Sequence, residues 1–219
     1  GMTTDGKSIF AGISDKTYFF PNILDVNDIS FLNKDYNQEK LHLGFIGRIS
    51  PEKNILQMIK AVGLLKEKGR KIQFSICGDG RNTNYLEQVT NLVYSDGLAE
   101  EVQLMGKTNE VFEVYKKIDL LILISDYEGF SNVISEALAS GLPIITSAIP
   151  ENEYLVEDTV NGFVVNHKDV LSIANGIEKF INLSAIDKNK MGSNNRKNAE
   201  AIFDKNSLYE NYMNLIAKL

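Results

Sequence analysis

Two glutamates, Glu128 and Glu136, stand eight positions apart around the turn Gly129-Phe130-Ser131-Asn132. An unbroken apolar run, Leu120 to Ile124, precedes the turn; Val133, Ile134, Ala137 and Leu138 follow it at helical spacing. The pattern predicts a buried strand, a polar turn and a helix. The first amides of a helix lack intrahelical partners, so those of Phe130, Ser131, Asn132 and Val133 suit an anion such as a phosphate. Gly129 permits a sharp turn and close approach of a ligand to the backbone. Carboxylates accept hydrogen bonds from hydroxyls. An anion site bracketed by two of them fits a ligand that carries phosphates and hydroxyls together.

A second group of candidate residues follows other apolar runs. Gly47, Arg48 and Lys53 come after Leu41 to Ile46. Two cations on such a loop either hold a phosphate or keep the surface soluble. Gly78-Asp79-Gly80 follows Ile72 to Cys77, and Gly106 follows Val102 to Met105. G-D-G reads as a plain turn or as a close approach to a ligand. It is not the G-x-G-x-x-G of a dinucleotide site.

These residues need a frame. Five strands are expected: the four runs above and Pro143 to Thr146, reached after Gly141 and Pro143 stop the preceding helix. Helical patterns fall near residues 54–68, 84–94, 111–117, 169–183, 186–202 and 207–219. Alternation of this kind predicts an α/β, Rossmann-like fold: a parallel sheet with helices on both faces and right-handed crossovers. Glycines and charges then collect on one edge, beyond the carboxyl ends of the strands, where open sheets bind ligands. Asn161-Gly162, between apolar flanks, reads as a simple structural turn. Residues 22–40 read as a surface loop or short helix. Phe203, Tyr209, Tyr212, Leu215 and Ile216 supply apolar faces that read as core, with an exposed aromatic stripe on the last helix as the alternative.

Composition excludes several classes. The 219 residues are 43% hydrophobic and 24% charged, ordinary for a globular protein. A net charge of −6 argues against nucleic acid as a partner. The single cysteine, Cys77, permits no internal disulfide and lies in an apolar run, where a buried thiol is expected. No run approaches membrane-spanning length and no signal peptide is read, so the cytoplasm is the expected location. His42 and His167 lack metal-ligand spacing, and Asp126-Tyr127-Glu128 is not taken as a metal motif; no metal is expected. Glu128 and Glu136 are not read as a hydrolase pair, because Glu136 sits on the helix. Gly1 before Met2 reads as an expression scar, and residues 1–7 as a disordered start.

Glu128-Gly129-Phe130-Ser131 with Glu136 resembles the E-x7-E motif of retaining glycosyltransferases of the family-4 type, also called glycosyl transferases group 1. These enzymes have two Rossmann-like domains, the GT-B architecture. Gly47-Arg48 and Lys53 resemble the family's G-R-x-x-x-x-K-G, with Asn54 in place of the last glycine. Gly78-Asp79-Gly80 resembles its G-x-G, and Val102 to Gly106 its V-x-F-x-G. Gly12-Ile13-Ser14-Asp15 with Phe20-Pro21 resembles the stretch that opens the family's C-terminal domain. The likeness runs from about Ser8 to Leu219 and matches only that C-terminal, donor-binding half. The chain is therefore expected to be part of a longer enzyme whose N-terminal acceptor domain is missing.

The resemblance implies a nucleotide-diphosphate-sugar donor as substrate, with no cofactor. Arg48 and Lys53 would bind the diphosphate, and Glu128 the hydroxyls of the transferred sugar. Glu136 would bind the ribose, and Gly129, Phe130, Ser131 and Asn132 would receive phosphate on their amides. Gly78, Gly80 and Gly106 would line the base. The family suggests bacterial surface polysaccharide synthesis. Any peripheral attachment to the inner face of a membrane would run through the missing domain. The alternative is a nucleotide-binding module of a split complex whose acceptor half is a separate chain. An epimerase or phosphorylase of the same architecture is a third reading. The isolated chain is expected to bind donor and not to turn it over.

Overall fold

The computed structural model describes residues 21–216. The expected disordered start and the Gly12–Asp15 stretch lie outside them. The strands are β1 (Leu41–Ile46), β2 (Ile72–Cys77), β3 (Val102–Gly106), β4 (Leu120–Leu123), β5 (Ile144–Ser147) and β6 (Gly162–Val165). The helices are α1 (Ile55–Glu67), α2 (Thr83–Ser95), α3 (Val111–Lys117), α4 (Asn132–Ser140), α5 (Pro150–Glu153), α6 (Val170–Asn182), α7 (Ala185–Ile202) and α8 (Lys205–Ile216). Residues 22–40 form a loop with one 3-10 turn, Val26–Asp28, as expected.

The sheet is wholly parallel, in the order β3-β2-β1-β4-β5-β6. This is the doubly wound order, and it reverses direction between β1 and β4. The central strands explain their own sequences. All four residues of β4 and all four of β5 are buried, which is why both read as continuous apolar runs rather than alternating ones. The α1 helix buries Ile55, Met58, Ile59, Val62 and Leu65, a stripe at helical spacing. Truncating a fully buried ring of this core, Phe45 or Phe74, should cost about 3–5 kcal/mol.

The structure decides two readings. Asn161-Gly162 does not turn a hairpin. Gly162 opens β6, which pairs parallel with β5 from Ile144↔Gly162 onward. A Cβ on Gly162 would lie 2.4 Å from the carbonyl oxygen of Ile144. The glycine is there for close approach of two backbones, and the turn precedes it, at Thr159 to Asn161. At the C-terminus Phe203 is core at 3% exposure, but Tyr209, Tyr212 and Ile216 of α8 are exposed.

Candidate functional site

The parallel arrangement puts every strand's carboxyl end on one edge. There the ladder continues past the strands: Gly47 N–H donates to Cys77 O at 3.0 Å, and Gly78 N–H donates to Gly106 O at 2.9 Å. A Cβ on Gly78 would stand 1.7 Å from Gly47 O, so backbone touches backbone and only glycine fits. Gly80 packs on Leu86, and Gly106 takes a φ of +70° at the end of β3. The Cys77 thiol is buried, which pushes its pKa up, and its Sγ donates to Gly106 O at 3.4 Å.

The β1–α1 loop carries Arg48 and Lys53. Pro51–Lys53 forms a 3-10 turn and Asn54 then takes the left-handed conformation, φ 48° and ψ 35°. Asparagine is among the few non-glycine residues that adopt it readily, because its short side chain can bond locally. Here the Asn54 amide donates to Asp126 Oδ1 at 2.8 Å, and the Asp126 amide donates to Glu52 O at 2.9 Å. The β1–α1 loop is thereby clamped to the β4–α4 loop across the reversal point of the sheet. His167, on the loop after β6, places Nε2 3.5 Å from Asp126 Oδ1. Asp126 is thus taken up by a loop contact.

The clamp brings the charges together. Lys53 Nζ donates to Glu128 Oε1 at 2.6 Å, with both side chains only 12–13% exposed. The Ser125 hydroxyl donates to the same oxygen at 2.7 Å, and the Ser125 amide donates to Ser147 Oγ at 2.6 Å. One ammonium proton is thus engaged, and two remain for a ligand. Arg48 is exposed and makes no ion pair among the described residues. Burial pushes the Glu52 carboxyl up, but the Ser50 hydroxyl, a backbone hydrogen bond and the charges of Arg48 and Lys53 outweigh it, and its pKa falls below the ordinary value.

The α4 helix begins directly beside this pair. Its cap is Ser131, whose Oγ accepts from the Ile134 amide at 3.3 Å. The amides of Asn132 and Val133 open the helix without intrahelical partners. Gly129 is exposed, and a Cβ there would meet nothing within 4 Å. The side chain of Asn132 is engaged at its oxygen by Asn22 at 2.6 Å. Glu136 lies one turn into the helix, and its Oε2 accepts from the Tyr115 hydroxyl at 2.8 Å.

So the structure gathers Arg48, Lys53, Glu128, Gly129, Phe130, Ser131, Asn132 and Glu136 around the gap between β1 and β4. Gly78, Gly80 and Gly106 stand on the β2–β3 side of the same edge. A groove of about 640 Å³ walled by Val160, Phe163, Leu183 and Met191 lies elsewhere, beside α6 and α7, and holds none of these residues. Three members were missed in the sequence: Tyr115, Ser125 and the Asn54–Asp126 clamp. Only Asn54, standing where a glycine was expected, gave a signal.

The sequence pattern of the family described as glycosyl transferases group 1 matches residues 28–198. This chain belongs to the glycosyl transferases group 1 family. The capsular polysaccharide biosynthesis glycosyltransferase CapM of Staphylococcus aureus is 26% identical over 187 residues, 82% of this chain and 48% of CapM. The fold matches HepE of Anabaena, solved with UDP and glucose, at a TM-score of 0.74 and 23% identity, over 83% of this chain and 49% of HepE. It also matches a C-terminal domain solved alone, that of the group 1 protein LpcC of Francisella tularensis. That match has a TM-score of 0.68 and 20% identity, over 81% of this chain and 97% of the LpcC domain. The chain spans about half the length of CapM, and 36% and 44% of two other curated relatives. The transferase fold is therefore that of a C-terminal GT-B domain. Among the described residues no helix is long and apolar enough to cross a membrane.

Proposed function

We propose that this chain is the donor-binding half of a retaining glycosyltransferase that takes its sugar from a nucleoside-diphosphate sugar. The observation that carries the reading is the Lys53–Glu128 contact. It joins a cationic loop to a helix N-terminus at the reversal point of a doubly wound sheet, where such folds bind nucleotides.

In this reading the diphosphate lies between Arg48, Lys53 and the amides from Gly129 to Asn132. Negative charge grows on the leaving phosphate as the glycosidic bond breaks. Fixed cations and helix amides stabilise that charge without having to reorganise. Glu128, already held by Ser125 and Lys53, accepts from hydroxyls of the sugar. Glu136 accepts from the ribose, and the glycines at 78, 80 and 106 let the base approach backbone. The acceptor oxygen bonds to the anomeric carbon on the face the phosphate leaves, and the acceptor proton passes to the departing phosphate oxygen. This keeps the anomeric configuration and requires no side-chain base on this chain. The donor is a substrate, and no cofactor is needed.

The acceptor half belongs to another domain of the same protein or to a separate partner chain. The likeness to CapM, a capsular polysaccharide biosynthesis glycosyltransferase, supports a place in surface polysaccharide synthesis. Calorimetric titration with UDP, GDP and ADP tests the donor site. One nucleotide should bind, and Arg48→Ala and Glu136→Ala should each weaken it about tenfold or more, the effect of losing a contact to a charged group. Binding that neither substitution weakens would sink the reading. The chain alone should bind donor and transfer nothing; product from the isolated chain would show that the acceptor half is not missing.

A further inference from the structure

Tyr115 is the largest of the fully buried side chains, at 1% exposure, and it lies in α3, an element that carries none of the residues assigned to donor contact. A buried tyrosine must satisfy its hydroxyl. This one's hydroxyl reaches across to α4. It lies 2.8 Å from Glu136 Oε2 and 3.3 Å from Val133 O, so the single proton favours the carboxylate. The ring is fixed in place by an edge contact with Phe112, the centroids 6.4 Å apart. Glu136 itself is half-buried, and among the described residues the tyrosine is the only hydrogen-bond partner of its carboxylate. One carboxylate oxygen is therefore held from inside the protein, and the other is left for a ligand.

The geometry points to Tyr115 as a positioning residue that aims the Glu136 carboxylate at the ribose hydroxyls of the bound nucleotide. This rests on the donor-site reading given above. A free glutamate side chain samples several rotamers, and ordering it on binding costs affinity. A hydrogen bond from a rigid, buried donor removes most of that cost before the ligand arrives. Glu136 sits about 6 Å along the helix axis from the first amides, a separation that suits a phosphate at the amides and a sugar beside the carboxylate. The donor also stays protonated: burial, and then the Glu136 charge, push the Tyr115 pKa well above its ordinary value. Finally, α3 follows directly on the Gly106 turn, so one element links the edge assigned to the base with the carboxylate assigned to the ribose.

The test separates aiming from mere folding. UDP, GDP and ADP and their 2′,3′-dideoxy counterparts are titrated calorimetrically into wild type, Tyr115→Phe, Glu136→Ala and the double variant. Wild type should prefer the ribose form of its nucleotide tenfold or more. In Tyr115→Phe that preference should shrink about fivefold, while dideoxy affinity stays within twofold of wild type. In the Glu136→Ala background, Tyr115→Phe should change neither affinity. Equal loss for ribose and dideoxy forms would mean a structural role only, and an unchanged preference would mean no role; either overturns the inference. If Tyr115→Phe does not fold, Phe112→Leu loosens the same ring and should shrink the preference in the same direction; an unchanged preference there overturns the inference too. A wild type that binds no nucleotide, or ignores the ribose hydroxyls, removes the donor-site reading and this inference with it. A wild type with the preference and a variant that retains it removes this inference alone.

Discussion

The two edges of the sheet both bury charge, and they use it differently. At the amino edge, Lys188 is 9% exposed; its Nζ donates to Ile181 O at 3.1 Å and lies 5.2 Å from the Phe180 ring centre. Nearby, Lys34 donates to the carbonyls of Tyr115 and Lys116 at the end of α3, and Asp119 Oδ2 accepts from the His42 amide at 2.9 Å. These charges are spent on the protein's own backbone. At the carboxyl edge, Lys53 and Glu128 meet each other, Arg48 extends into solvent, and the first amides of α4 stay open. The first edge is a closed electrostatic system that holds helices to the sheet. The second is an open one, which a phosphate and hydroxyls would complete. Burial of charge alone does not mark a site; charge left with unused bonding capacity does.

The largest expected effects test the backbone under the open edge. Gly78→Ala places a methyl against Gly47 O, which cannot swing aside as a side chain can. We expect a loss of about 3 kcal/mol or more in denaturant titrations. Gly44→Ala, whose methyl would meet the Ile118 side chain at 2.4 Å, should cost less, about 1–2 kcal/mol, because a side chain can repack. Gly129→Ala meets nothing and should stay within about 0.5 kcal/mol of wild type. Reversal of the first two would mean that the carboxyl edge is the more adaptable one.

Next in size is a test of the closed edge. Lys188→Ala removes a donor from Ile181 O and the stem that packs beside Tyr36 and Phe180. It should cost about 2 kcal/mol of stability. Nucleotide affinity, measured calorimetrically, should stay within twofold. A parallel fall in affinity would show that the two edges are coupled.

Much of this frame was legible in the sequence, because burial on both faces writes itself as apolar runs and as helical stripes. The α1 to α4 helices lie where spacing placed them, within a residue or two. The sixth strand was not legible. Gly162 carries the signal of a turn, and only the position of the Ile144 carbonyl shows that it marks a close strand pair. The site was half legible. Residue types and their order gave Arg48, Lys53, Glu128 and Glu136. The bonds that aim them join residues 75 positions apart for Lys53 and Glu128, 72 for Asn54 and Asp126, and 21 for Tyr115 and Glu136. No local pattern records such pairings. Tyr115 in particular looks like any aromatic on an apolar helix face until the sheet order brings α3 beside α4.

Arg48→Ala turns the comparison around. The guanidinium is exposed and unpaired among the described residues, so its loss should move the melting point little, within about 0.5 kcal/mol of stability. Affinity for the diphosphate should fall by about 1.5–3 kcal/mol, the value of a hydrogen bond to a charged group. Together, Arg48→Ala and Lys188→Ala should dissociate binding from stability in opposite directions. If Arg48→Ala lost stability and kept affinity, the open edge would be structural after all.

The smallest effects are in pH dependence, and the two edges should differ in sign. Burial raises the pKa of Asp119, against the opposing His42 amide and the charge of Lys34. Between its unfolded value near 3.8 and that higher folded value, the native state binds more protons, so this group makes stability fall as pH rises. Asp119→Asn cannot titrate, and its deficit against wild type should shrink as pH rises from 3.8 through the raised folded value. Glu52 is the mirror case. Its folded pKa lies below the ordinary 4.5, so the unfolded state binds more protons and stability rises with pH through that window. The deficit of Glu52→Gln should therefore grow as pH rises from its lowered folded value to the ordinary 4.5, and level off above it. Each change should amount to about 2 °C or less in melting temperature, read as differences from wild type at each pH. Slopes of the same sign would mean that the cations of the β1–α1 loop do not offset the burial of Glu52, and that the open edge holds no standing positive field for a phosphate to enter.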